Sequence, residues 1–154
     1  MKHIITITLL LVLFAAGCGQ RGLQGLAQVS GTITLNGQPL DGATISLLPV
    51  TEGLRAAGAV SDASGNFRVT TLHSNDGVQP GEYLISVTKV HLEGVLPAAE
   101  VRKLKAEGKE YNPTQIQRIP EKYLKAETSD LKIAVKSGRN DKLVLTLEGE
   151  PAGK

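Results

Sequence analysis

The sequence predicts an all-β sandwich of seven short strands, with a short helical insertion before the last two. Three observations predict it. Apolar side chains recur at every second residue in segment after segment, the period of a half-buried strand. Turn chemistry such as Asn36-Gly37 and Asp62 to Asn66 separates those segments. The chain has 154 residues, enough for one ordinary domain, and at 41% hydrophobic it is too apolar to stay disordered.

The first segment reads as an address. Lys2 is followed by the thirteen uncharged residues Ile4 to Ala16. A helix of that length spans roughly 20 Å, short of the ~30 Å hydrocarbon core, so the run fits a secretory signal peptide better than a membrane span. Ala15-Ala16-Gly17-Cys18 then resembles the lipobox of bacterial lipoproteins. The resemblance implies that the Cys18 sulfur receives a diacylglycerol group and that residues 1–17 are removed as a lipoprotein signal peptide. The family prefers Leu where this chain has Ala15. Gly19, in place of the Asp of an inner-membrane retention signal, implies sorting to the outer membrane. Cys18 is the only cysteine, which excludes an internal disulfide and any multi-cysteine metal site. Two or three acyl chains hold such a protein stably on a membrane.

Residues 18–27 are short and Gly-rich, and read as a tether. Val29, Gly31, Ile33 and Leu35 alternate with Ser30, Thr32 and Thr34 as the first strand, and Pro39 keeps the stretch beyond the Asn36-Gly37 turn out of a central strand. Further strands are expected over Ala43 to Leu48, Ala57 to Ser61 and Phe67 to Thr71. Tyr83 to Lys89 follows as the longest and central strand, with Phe67 and Tyr83 facing the core. Residues 91–125 break the rhythm as an insertion. Within it Pro97 and Gly108 punctuate a helix whose Ala98, Val101 and Leu104 form a narrow apolar stripe. Two strands, Leu131 to Val135 and Leu143 to Leu147, close the domain (28–149). They are expected to form a hairpin around Ser137 to Asp141, and 150–154 to be a frayed tail.

The order of these motifs resembles a known module. Val29-x-Gly31-x-Ile33, Asn36-Gly37-x-Pro39-Leu40-x-Gly42-Ala43-x-Ile45, Asp62-x-x-Gly65-x-Phe67 and Gly81-x-Tyr83-x-Ile85-x-Val87 are similar to the carboxypeptidase-regulatory-like domain. The resemblance covers residues 29–90. It implies a transthyretin-like, Ig-like β-sandwich. Ile119-Pro120-Glu121-Lys122-Tyr123 and Thr128-Ser129-Asp130-Leu131 resemble the closing part of small bacterial lipoproteins that carry this domain alone. It implies no catalytic activity.

The chemistry-bearing residues are sparse. His73 and His91 have no metal-ligand spacing, and no nucleophile elbow or phosphate-binding loop occurs. No catalytic residue, metal site or cofactor is expected. A hydrolase related to transthyretin would need a histidine-rich site and a terminal motif that Glu150-Pro-Ala-Gly-Lys154 lacks. A pilus- or adhesin-like subunit would need a Lys–Asn isopeptide, for which Lys89 and Asn140 are the available pair. Charge is nearly balanced, with a formal net charge of +2, so no nucleic-acid partner is expected. The balance is uneven along the chain: residues 98–125 carry seven basic against four acidic side chains, and residues 22–97 three against six. The insertion therefore supplies the expected contact surface: Arg102, Lys103, Lys105, Lys109, Tyr111 and Tyr123. The overall expectation is a non-catalytic, lipid-anchored protein of the cell envelope with a binding or structural accessory role, contacting the membrane through its lipid and an envelope protein or polymer through that surface.

Overall fold

A computed structural model of the chain describes Leu23 and residues 25–153. The signal run, Cys18 and most of the tether lie outside the described residues. Strand dominates the regular structure of the described residues, which hold one short α-helix, so the all-β expectation holds.

Two four-stranded sheets share one core. In the first, β1 (Gln28–Leu35) runs parallel to β10 (Arg139–Leu147) on one side. On its other side it is antiparallel to β5 (Asn66–Arg68) and then to β2 (Gln38–Pro39). The second sheet has the order β4 (Ala57–Val60), β3 (Thr44–Pro49), β6 (Gly81–Thr88), β9 (Lys132–Val135), with every pair antiparallel. The period of two places Val29, Ile33, Leu145 and Leu147 of the first sheet against Ile45, Leu47, Tyr83, Ile85 and Val87 of the second. Each such side chain, fully buried, contributes about 1.5–3 kcal/mol.

The turns follow their residues. Asn36 and Gly37 both take positive φ, the conformation of a two-residue hairpin loop, and Pro39 sits on an edge where no ladder needs its missing N–H. Asn36 also exchanges side-chain hydrogen bonds with the backbone of Gly149, 3.1 and 3.0 Å long, and so ties the end of β1 to the end of β10. Buried Ser61 is fully satisfied: its hydroxyl accepts from Ala43 N at 2.9 Å and donates to Leu40 O at 2.6 Å.

Several expectations change. The described residues hold ten strands in three sheets, not seven in two. The longest strand is β10, while β6 is central as expected, lying between β3 and β9. The last two long strands do not form a hairpin. β9 pairs with β6 in one sheet and β10 with β1 in the other, so residues 136–138 cross between sheets. The crossing is held by Gly138 O, which accepts from Gln28 N at 2.8 Å, and by the Asn140 side chain, which spans the N–H and C=O of Lys136. The tail is not frayed over its described length: Ala152 N and Gly153 N donate to Ile119 O and Gln117 O.

The insertion also divides differently. Residues 119–131 belong to the core: Ile119, Tyr123 and Ala126 are buried, and the buried Ser129 hydroxyl donates to Ile85 O. Only residues 90–117 stand apart. They form an arm, in which β7 (Val90–Glu93) pairs with β8 (Thr114–Gln117) and α1 (Ala98–Ala106) fills the connection.

Strand directions fix where the arm lies. β1 and β10 begin together at one end, Gln28 beside Arg139, and Ala27 pairs with Val78 there. β6 also starts at that end, since Gly81 pairs with Val135, just before the crossing to Arg139. Eight residues later, about 25 Å away, β6 delivers the chain to β7. The arm therefore leaves the sandwich at the end opposite the one where the N-terminal segment enters.

Candidate functional site

The arm is ordered by its own contacts. Pro97 precedes α1, and its carbonyl accepts from Glu100 N and Val101 N. Gly108, at positive φ, lets Lys109 N turn back to Leu104 O, which closes the helix as the Pro-to-Gly punctuation predicts. The Tyr111 hydroxyl clasps the loop, accepting from Leu96 N at 2.8 Å and donating to Gly94 O at 3.0 Å. α1 itself buries no residue; Val101 and Leu104 are half-buried.

Four of the six expected contact residues, Arg102, Lys103, Lys105 and Lys109, are exposed on this arm. Helical geometry puts Arg102 and Lys105 on one face, with Glu100 on the opposite one. Lys109 is 2.9 Å from the Glu107 carboxylate, whereas Arg102, Lys103 and Lys105 form no ion pair among the described residues. Tyr111 is half-buried and engaged in its loop. Tyr123 is not on the surface at all. It is 4% exposed, its hydroxyl accepts from Glu148 N at 3.0 Å, and Lys122 lies 4.6 Å over its ring. Its place is set by the return of residues 119–131 to the core, which the break in periodicity does not signal.

A second surface is one that the sequence reading missed. The outer faces of the two main sheets meet in an open groove of about 1270 Å³. Its origin is a parting of β4 from β5. Gly58 and Thr70 exchange backbone hydrogen bonds, and Asp62 N donates to Asn66 O. Between these two links Val60 and Arg68 form no bridge, because β4 leaves with the second sheet and β5 with the first. Asp62 holds the closed end: its carboxylate accepts from Ser64 N and Asn66 N, each at 2.9 Å. The Asn66 hydrogen bond is the main reason that its carboxyl sits below the usual range. The expected turn is there, and it joins strands of different sheets.

The other wall is the loop over residues 70–77. Burial pushes the Asp76 carboxyl up, but the backbone N–H groups of Thr71, His73 and Leu72 outweigh it, and the net shift is downward. These bonds are 2.7 to 2.9 Å long. The floor is the outward row of β1 and β10, and here the ladder is irregular. Val29 faces Asn140 but Gly31 faces Leu143, so β10 carries a bulge at Asp141 and Lys142. The bulge turns Asp141 toward Ser30 Oγ, 3.5 Å away, and Arg139, 3.6 Å away. The signal available for this groove was a valine in the polar phase of a strand. Val60 follows buried Ala59, Val144 precedes buried Leu145, and the two valines are 64% and 65% exposed.

His73 lies in the loop and His91 on the arm; both are exposed, on separate elements. Lys89 and Asn140 sit at opposite ends of the sandwich, so they do not meet as an isopeptide pair. Lys89 Nζ instead donates to Asp41 O. Among the described residues no three His, Cys, Asp or Glu side chains gather to hold a metal ion, and no helix is long and apolar enough to cross a membrane.

No protein-family model matches the chain, and no curated protein matches it. Among solved structures it is similar to a 9R-lipoxygenase from Cyanothece PCC8801, at 11% identity and a TM-score of 0.40. The match covers 96% of this chain and 20% of that one, so the chain spans about a fifth of that protein. A likeness at that score carries no argument about fold or activity.

Proposed function

We propose that this protein is a non-catalytic binding module of the bacterial cell envelope, a carboxypeptidase-regulatory-like sandwich held on the outer membrane by lipid at Cys18. The observation that carries the reading is the placement of Cys18, after the thirteen-residue run Ile4 to Ala16 that ends in Ala15-Ala16 and then Gly17, ten residues before β1 begins at Gln28. That stretch reaches at most roughly 35 Å. Metabolic labelling with a fatty-acid analogue is expected to mark the wild-type chain and to miss Cys18→Ser. Equal labelling of both removes the anchor.

In this arrangement the tether joins the sandwich at the end that carries Gln28, and the arm leaves from the opposite end. An ordered appendage that adds nothing to the core suits an external contact, and Arg102, Lys103 and Lys105, without an ion pair among the described residues, suit an acidic partner. A photo-crosslinking side chain at Arg102 is expected to give a discrete adduct in intact envelopes, and one at Glu52 to give none. Equal adducts from the two positions, or none from Arg102, would remove the arm as the contact surface.

A further inference from the structure

The groove between the outer faces of the sheets has a chemistry of its own, independent of the anchor and of the arm. We infer that it binds an extended acidic peptide segment, whose carboxylates meet Arg68 and Lys142 and whose aliphatic side chains pack on Val60 and Val144.

Four observations point to that ligand. The cations are available and the acids are engaged. Among the described residues Arg68 and Lys142 form no ion pair, whereas Asp62 is bound by its own turn and Asp141 lies against Arg139 and Ser30. An incoming anion therefore meets unpartnered positive charge. The exposed valines, Val60 on the β4 wall and Val144 on the β10 floor, demand an apolar component as well, which excludes a purely hydrophilic polyanion as the best occupant. The backbone of Val60 and Arg68, unbridged where β4 and β5 part, offers N–H and C=O groups of the kind that an extended peptide complements. A glycan usually needs an exposed aromatic face, and the sole aromatic residue lining the groove, Phe67, is 3% exposed. The size agrees: small-molecule pockets hold about 300–1,000 Å³, and this open groove, at about 1270 Å³, is larger.

The test uses the purified full-length chain and four dye-labelled probes, with binding read by fluorescence anisotropy at low salt. The first is an octapeptide alternating valine and glutamate. The second and third replace glutamate by serine or by lysine, and the fourth is an oligogalacturonate of similar length and charge. The glutamate peptide is expected to bind saturably and at least about tenfold more tightly than any other probe. Arg68→Glu and Lys142→Glu are each expected to weaken it by about tenfold or more, and Val60→Ser by a smaller factor. Lys105→Glu, on the arm, is expected to leave it unchanged. Thermal melts monitor folding, and Arg68→Gln and Lys142→Gln replace any charge-reversed variant that melts early. The inference is overturned if the serine peptide or the oligogalacturonate binds as tightly, if Arg68 and Lys142 substitutions have no effect, or if no probe binds.

Discussion

Gly31→Val is expected to unfold the sandwich under conditions where the wild-type chain is intact. A Cβ at Gly31 would lie 2.0 Å from Leu143 O and 2.8 Å from the carbonyl carbon, both backbone atoms of the strand beside it. No rotamer relieves a clash with a ladder. β1 and β10 would have to part along a pairing that runs from Gln28 to Leu35 and joins the two ends of the described chain. The cost is roughly 4 kcal/mol or more, against a total stability on the order of 5–15 kcal/mol for a domain. Gly37→Ala is the matched control. Gly37 takes a φ of +78° but has open space around its Cβ position, so its loss is about 1–2 kcal/mol. Urea titrations followed by circular dichroism separate the two. A Gly31→Val midpoint as high as that of Gly37→Ala would mean that β1 and β10 are not neighbours in this register.

Tyr83→Ala is expected to cost about 3–5 kcal/mol, the range for truncating a large buried ring. Tyr83 is 0% exposed on the central strand, and it faces Ile133 across the β6–β9 ladder. Tyr83→Phe isolates the hydroxyl, which donates to Gln79 O at 2.9 Å. That change is expected to cost only about 0.5–1.5 kcal/mol. The two variants also differ from the wild type in alkali. Burial raises the Tyr83 phenol above its ordinary value. Because the folded value lies above the unfolded one, the neutral ring favours folding at lower pH, and this contribution fades as pH rises beyond about 10. Tyr83→Phe lacks a group to ionise there, so its stability is expected to fall less steeply between pH 9 and pH 11. Parallel curves for the two proteins would show that the Tyr83 hydroxyl is open to solvent.

Local signals were legible wherever neighbouring residues settle the outcome. Asn36-Gly37 makes its turn because both residues tolerate positive φ, whatever the strands around them do. Pro97 and Gly108 bracket α1 because each acts on the backbone within one turn of itself. The inward positions of Phe67 and Tyr83 follow from alternation alone. Partner choice was not legible. Leu131 to Val135 and Leu143 to Leu147 carry the same alternation as any hairpin, and nothing within either stretch says that one joins β6 and the other β1. Tyr123 sits in an irregular stretch of mixed charge, and only the return of Ile119 to Ser129 across β6 makes it a core residue.

By itself the sequence determined the all-β class, which face of each strand is apolar, the turns and the helix caps, because these depend on side-chain period and on the φ of single residues. It also carries the Cys18 motif. The tertiary structure alone decided that β10 runs parallel to β1, that β4 and β5 part between Val60 and Arg68 to open the groove, and that the basic arm leaves from the end opposite the N-terminal segment. The physical reason is common to all three. Each depends on which distant segments share hydrogen bonds, and an alternating strand is compatible with many partners until the whole core is packed.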